Sequence, residues 1–425
     1  MSWVMATASC KKGTVQLVVT KVITILLLLQ LATVVKSQRN DDYEDTRHLY
    51  HDGSSLEEEK DVCTSATGCP ESAHDMNLFR LEGHKEGHVQ VVELQDNKNH
   101  IIKTVSMKPL IFEVEDFFTE EECNHVIQLA EKQGLQSSST HNQEQSNPSM
   151  RLLDLDGDQR LSLTEMRRTI EDGFDIYLVE RDLRKLYTDL AMDGNEDEFI
   201  SREEMQNVSP YEFKGYLDDL IAKEPEKKSR FSSQAWIYPD KISDPLIDSF
   251  QQRIRRLTQL PDMMIDSHSF IQVVRYAADG HYNAHHDSGD DFQYPCCHMV
   301  EHKRCNICRY ATIMVYLNDV EEGGETAFPV ANNETYDEEV FRDSGKRNLN
   351  HYCQAANLKL LPRKGTAVLW YNHFVNETTG WMGAVDKLTW HGGCPVVRGN
   401  KWIMNRWIAA TPERDQDIKI NKVEV

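Results

Sequence analysis

The stretch Tyr276-Ala-Ala-Asp-Gly-His-Tyr-Asn-Ala-His285-His-Asp287 decides how this chain is read. His285 and Asp287 are two residues apart, so on an extended strand both side chains leave the same face. They could then converge on one cation without bending the backbone, while His286 would point to the other face. One further imidazole completes the set of two histidines and one carboxylate that leaves coordination positions open on a non-haem Fe(II) ion. His391 supplies it from a distant strand, and Lys401 follows as a cation suited to an acidic co-substrate. The candidate catalytic set is therefore His285, Asp287, His391 and Lys401.

Around this set the texture is that of short strands. Phe270–Tyr276, Tyr310–Leu317, Ala367–Tyr371 and Trp402–Ala409 are β-rich runs separated by turn signals at Gly323-Gly324 and Gly392-Gly393. Many short strands with glycine-rich turns predict a sandwich or jelly roll. Upstream, Val89–Leu94 and Ile101–Val114 alternate in the same way. Thr119 and Glu122 form a capping box that starts a helix ending at Gly134. A second helix is expected over Asp244–Leu260, where Ile247, Phe250, Ile254 and Leu257 share one face.

Between these β-rich parts lies a helical insertion. Asp154-x-Asp156-x-Asp158-x-Arg160-x-x-x-x-Glu165 and Asp193-x-Asn195-x-Asp197-x-Phe199-x-x-x-x-Glu204 both have the spacing of an EF-hand calcium loop, with Arg160 and Phe199 offering backbone carbonyls. Leu161 and Ile200 suit a short strand between paired loops. Two departures stand out. The sixth position, where the turn favours glycine, holds Gln159 and Glu198, at a cost of roughly 1–2 kcal/mol each for a left-handed backbone. The first loop also has Pro148 close upstream, leaving little room for an entering helix, whereas Leu183, Leu186, Tyr187 and Leu190 give the second loop one. Bound Ca(II) is expected in at least one loop.

Composition bounds the remaining possibilities. The formal charge of −22 over 425 residues excludes nucleic acid as a partner, because phosphate binding needs clustered Lys and Arg. Residues 1–37 carry lysines and no acidic residue, then Val22–Val35 reads VITILLLLQLATVV, and acidic residues dominate from Asp41. The apolar run fits a cleaved signal peptide, or a membrane anchor if it extends back to Val15 across Lys21. Either reading sends the rest of the chain into the secretory pathway. Sequons at Asn333 and Asn376, with a third at Asn207 before a proline, agree with that route. Ten cysteines agree as well, through disulfides whose pairing is left open. Cys305-x-x-Cys308 near His298 and His302 also admits a zinc reading.

Four motifs in order carry a resemblance. They are Tyr276 through Asp287; Arg309-Tyr310-x-Thr312-x-x-x-Tyr316-Leu317-Asn318; Gly323-Gly324-Glu325-Thr326-x-Phe328-Pro329; and His391-Gly-Gly-Cys394-Pro395-x-x-x-Gly399-x-Lys401-Trp402. Together they resemble the prolyl 4-hydroxylase family of Fe(II)- and 2-oxoglutarate-dependent dioxygenases. The resemblance implies iron on His285, Asp287 and His391. It implies 2-oxoglutarate held by Lys401, Tyr276 and Thr312, with ascorbate as reductant and a proline-containing peptide or protein as substrate. Trp407 resembles a family position near the peptide groove, with core packing as the alternative.

An EF-hand pair behind an N-terminal apolar segment is similar to the membrane-anchored members of that family. This implies a single-pass type II protein of the endoplasmic reticulum membrane with its catalytic domain in the lumen. The expected class is α+β, a double-stranded β-helix (jelly roll) with an inserted EF-hand pair and an N-terminal membrane segment. Expected divisions are a tail and anchor over 1–37, an acidic linker over 38–87 and an N-terminal part of the dioxygenase domain over 88–147. The insertion follows over 148–222, then the catalytic core over 223–415 and a tail over 416–425. Two other functions remain open: a membrane-tethered calcium sensor with an idle dioxygenase domain, and a hydroxylase of another residue such as lysine. Oligomeric state is not legible.

Overall fold

Every strand expected around the candidate site forms, because each carries the β-branched and aromatic residues that fill a pleated, buried surface. The computed structural model describes residues 77–138, 154–266, 270–289, 296–297 and 306–422. Fourteen strands make two antiparallel sheets. In chain order they are β1 (Val89–Gln95), β2 (Lys98–Met107), β3 (Leu110–Val114), β4 (Gln136–Ser137), β5 (Arg230–Phe231), β6 (Ser233–Ile237) and β7 (Ile271–Tyr276). Then come β8 (His281–His285), β9 (Arg309–Tyr316), β10 (Thr326–Phe328), β11 (Leu358–Leu360), β12 (Ala367–Tyr371), β13 (His391–Gly393) and β14 (Lys401–Ala409). The larger sheet runs β1-β2-β3-β12-β9-β14-β7-β6-β4, and the smaller runs β11-β10-β13-β8-β5. This sheet-rich core is consistent with a jelly roll.

One face of the large sheet is covered by helices α1 (Glu120–Gln133) and, further along the chain, the helix Pro245–Thr258. Val126, Phe250, Ile254 and Leu257 are fully or almost fully buried there with Ile313, Leu369 and Met404. Each such aliphatic or aromatic side chain contributes about 1.5–3 kcal/mol by leaving water. The other face meets the small sheet through Val274, Tyr276, Met314, Tyr316, Phe328 and Trp370. The candidate site lies in this layer between the sheets. The α1 capping box forms as its sequence predicts: Glu122 N–H donates to Thr119 Oγ1 and Thr119 N–H to Glu122 Oε2. The packed chain starts earlier than the linker boundary at 87. Leu78 and Leu81 are buried, with Leu78 N–H bonded to Gly380 O and Leu81 N–H to the Tyr371 hydroxyl.

The insertion has its own core of Leu161, Met166, Ile170, Leu183, Leu186 and Ile200. Leu161 pairs with Ile200 across a two-residue ladder that joins the two loops, as expected. Gln159 and Glu198 adopt φ of 70° and 66°, so the left-handed turn is made without glycine. Helix α2 (Leu163–Phe174) leaves the first loop and α3 (Glu180–Asp189) enters the second; residues 139–153, just before Asp154, lie outside the described ones. Asp172 on α2 pairs with Arg342 and Arg347, joining the insertion to the catalytic part. Cys353 bonds to Cys394, fixing one pairing the sequence left open. Cys308 is also disulfide-bonded, which overturns the zinc reading, since a disulfide sulfur is not available as a thiolate ligand. The apolar run Val15–Val35 lies outside the described residues. Among the described residues no helix is long and apolar enough to cross a membrane.

Candidate active site

Strand β8 ends at His285 and pairs in register with His391, the first residue of β13. The distant strand expected to bring the third ligand is therefore the direct neighbour in the small sheet. That approach requires glycine after His391: a Cβ on Gly392 would lie 2.3 Å from Tyr282 O and 2.7 Å from Leu349 Cδ1. Asp287 departs from the strand-parity reading. It sits in the bend after β8, and the bend, not the pleat, turns its carboxylate toward the two rings.

The donor atoms of His285, Asp287 and His391 lie within 4.8 Å of one another. Nδ1 of His285 faces Asn283 O at 3.0 Å, and Nδ1 of His391 faces Thr389 O at 2.9 Å. A carbonyl only accepts, so each Nδ1 donates to it and each Nε2 is left facing Asp287. Those two Nε2 atoms lie 3.8 Å from Asp287 Oδ1 and 3.5 Å from Oδ2. Burial, reinforced by the charge of His391, pushes His285 down to about 3, which keeps it neutral and ligand-ready. Burial alone would raise Asp287, but His391, Arg309, His285 and the Thr312 hydroxyl outweigh it and hold the carboxyl below its ordinary value. Two imidazoles whose Nε2 atoms face an ionised carboxylate are a donor set fit for a divalent metal with open positions. His286 stays out of this cluster; its Nδ1 lies 3.1 Å from Thr389 Oγ1 and its ring rests on Trp390.

Lys401 opens β14 and pairs in register with Tyr276 on β7. It is 1 % exposed, and Nζ donates to Thr326 Oγ1 at 3.3 Å with the rings of Tyr276 and Tyr316 at 5.6 Å each. Burial pushes this ammonium down to about 7, against a weaker opposing pull from Glu325. A buried cation held by a hydroxyl and two ring faces is a receptor for an anion.

Thr312 is placed differently from expectation. Its hydroxyl donates to Asp287 Oδ2 at 2.7 Å and accepts from Asn372 Nδ2 at 3.0 Å. It orients the candidate metal carboxylate and does not line the cavity beside Lys401. Trp407 Nε1 donates to the same Oδ2 at 3.0 Å, and the Arg309 guanidinium lies 3.9 Å from the Trp407 ring centroid. Sequence reasoning missed Thr326 and Tyr316 as the polar neighbours of Lys401. Both fall inside quoted motifs, but no local signal places them across the sheet layer from it. It also missed Arg230 and the stacking of Tyr282 on His285, with ring centroids 3.7 Å apart. All the expected residues except Thr312 line or ring one cavity of about 820 Å³, together with Trp236, Phe270 and Arg230.

The two acidic loops of the insertion are a separate cluster. Asp154, Asp156 and Asp158 bring carboxylate oxygens within 4.8 Å of one another, and Glu165 Oε1 accepts from Leu155 N–H at 2.8 Å. In the second loop Asp193 accepts from Asp197 and Glu198 N–H, Asn195 from Asp197 N–H, and Glu204 from Gly194 N–H. Both loops are thus already folded around an outward-facing acidic centre.

Residues 271–409 match the 2OG-Fe(II) oxygenase superfamily, the class that the sheet-rich core and the His-Asp-His cluster define. Transmembrane prolyl 4-hydroxylase of Homo sapiens is 37 % identical over 79 % of this chain and 70 % of that protein. Its Mus musculus counterpart is 36 % identical over the same shares. Probable prolyl 4-hydroxylase 9 of Arabidopsis thaliana is 32 % identical over 46 % of this chain and 56 % of that one. The chain belongs to the prolyl 4-hydroxylases, and is an Fe(II)- and 2-oxoglutarate-dependent enzyme.

Proposed function

We propose that His285, Asp287 and His391 hold the Fe(II), and that Lys401 and Tyr276 hold the distal carboxylate of 2-oxoglutarate, in a membrane-anchored, luminal prolyl 4-hydroxylase. The observation that carries this is the meeting, in one cavity, of two imidazole Nε2 atoms, a carboxylate and a buried lysine that no carboxylate among the described residues pairs with. When bound, iron and 2-oxoglutarate activate dioxygen and yield succinate, CO2 and a hydroxylated prolyl ring. The protein supplies position and polarity. The carbonyls of Asn283 and Thr389 fix both imidazole tautomers, Thr312 and Trp407 hold the Asp287 carboxylate, and the Lys401 charge selects a dicarboxylate. Ascorbate is the reductant expected to keep the bound iron ferrous.

Anchoring through the Val15–Val35 run and placement in the endoplasmic reticulum lumen are supported by the charge asymmetry of the N-terminus and by the similarity to the mammalian transmembrane prolyl 4-hydroxylases. The disulfide Cys353–Cys394 fits an oxidising compartment. Glycans on Asn333 and Asn376 fit it too, each sequon forming a local turn in which the Asn side chain accepts from Thr335 or Thr378 N–H. Calcium at the Asp154 and Asp193 loops would modulate the enzyme through the insertion.

The test is turnover of proline-bearing peptides by the full chain with Fe(II), 2-oxoglutarate and ascorbate, followed as succinate and as +16 on the peptide. Hydroxylation on proline is expected. A +16 on lysine would move the assignment to another residue class, and calcium binding without any turnover would favour a sensor.

A further inference from the structure

Arg230 has no task in the reaction as proposed, yet it lines the cavity. It sits on β5, the first strand after the insertion, in register with Tyr282. Its guanidinium lies 4.7 Å from the Tyr282 ring centroid, and Tyr282 in turn stacks on His285. Nε donates to Ser232 Oγ at 3.0 Å, and the guanidinium charge acts on the Tyr276 hydroxyl. Among the described residues these partners are two hydroxyls and a ring, and none is a carboxylate.

The charge of the cavity sharpens the point. The chain has 69 acidic and 47 basic residues, but the described lining holds Arg230, Arg309 and Lys401 against one carboxylate, Asp287. The cavity inverts the sign of the protein. Two of the three cations have a partner in the reaction. Lys401 faces the keto acid, and Arg309 lies 3.5 Å from Asp287 Oδ1 and over Trp407. Arg230 keeps guanidinium donors free, in a planar fork shaped for a carboxylate. A neutral proline-rich peptide would offer it only backbone carbonyls in exchange for water, whereas an acidic side chain would make a stronger, charge-assisted bond in a partly water-excluded place.

We propose that Arg230 is a specificity-determining residue that receives a side-chain carboxylate of the substrate, so that the preferred substrates are peptides with Asp or Glu near the target proline. Two ring-stacking steps separate Arg230 from His285, a span of roughly two to three extended residues. This rests on the prolyl-hydroxylation reading and names the substrate class for it.

The experiment uses the full chain with Fe(II), 2-oxoglutarate and ascorbate. The probes are proline peptides carrying one Asp within three residues on either side, each with an Asn twin. Succinate gives kcat/KM, and anisotropy of the labelled peptides gives binding. At one position the Asp peptide should be preferred by about tenfold, the lower range for a charge-assisted bond, and added salt should shrink the ratio. In Arg230→Gln the ratio should fall to near one, and Arg230→Lys should restore part of it. The KM for 2-oxoglutarate should stay within about twofold in both, as expected for a charge not spent on the keto acid. An equal ratio in wild type and Arg230→Gln overturns the inference. So does a raised KM for 2-oxoglutarate with the peptide ratio unchanged, which would assign Arg230 to the keto acid. If no peptide proline is hydroxylated, the reading beneath fails, and the anisotropy ratio still decides the role of Arg230.

Discussion

The His285–Asp287–His391 cluster and the Asp154–Asp156–Asp158 loop both gather candidate metal donors within 4.8 Å, and they are built on opposite terms. In the loop, each carboxylate is satisfied by the amide groups of its own few neighbours. Asp154 accepts from Gly157 and Gln159, Asp156 from Asp158, and Asp158 from Arg160. The donors stand in water, where like charges are screened and a cation is optional. In the cluster, Asp287 and His391 are buried and His285 is half-buried, and the three arrive from two paired strands and a bend. Their second partners, Asn283, Thr389, Thr312 and Trp407, span the domain. A buried carboxylate beside two imidazole nitrogens depends far more on a bound cation than an exposed one does. The contrast teaches that local spacing reveals a loop, while the commitment to a metal is made by long-range burial.

The largest expected effect breaks the comparison outright. His391→Ala should lower succinate release by more than the roughly 100-fold that loss of an outer partner costs, while circular dichroism and the melting temperature stay close to wild type. Turnover that survives would show that the cluster is no more committed to metal than the loop.

Lys401→Met comes next. It should raise the KM for 2-oxoglutarate by about 30-fold or more, since unpairing a buried charge costs about 2–5 kcal/mol. It should also make the ligand-free protein more stable, because a buried, unneutralised ammonium is removed. The pH dependence has a definite sign. The folded value of Lys401 is about 7 against an ordinary 10.5, so between these values the unfolded chain binds a proton that the folded chain does not. Stability of the ligand-free wild type should therefore rise with pH across that window. A melting series from pH 7 to 9 checks this, and its Lys401-dependent slope should be absent in Lys401→Met.

Thr312→Val should have a smaller effect, about tenfold in the iron concentration needed for activity, with little change in the KM for 2-oxoglutarate. A shift in the keto-acid KM instead would return Thr312 to the role the family resemblance implied. The smallest effect belongs to the loop. Asp154→Asn with Asp158→Asn should abolish a calcium-dependent stabilisation of about 1 kcal/mol, measured at a few times the dissociation constant, and change turnover less than threefold. A large loss of turnover would show that the insertion controls the site and does not merely modulate it.

Much of this was legible because it is periodic. The apolar stripe Ile247, Phe250, Ile254 and Leu257 determined a helix and its buried face, and the Thr119–Glu122 box determined where α1 starts. Leu161 and Ile200 determined that the loops pair. Other features could not be read. Thr312 and Thr326 are both threonines within the quoted motifs, and only the sheet order assigns the first to Asp287 and the second to Lys401. Tyr276 and Lys401 sit 125 positions apart and become neighbours only through the register of β7 against β14.

By itself, then, the sequence determined the donor types, the strand texture that carries them and the charge asymmetry of the chain, because these depend on spacing along a backbone of fixed geometry. Tertiary structure decided which carbonyls lock the histidine tautomers, that Asp287 turns in from a bend, that Cys353 pairs with Cys394, and that Arg230 faces the cavity. Those depend on which distant segments are brought together and sealed from water, and no local pattern records that.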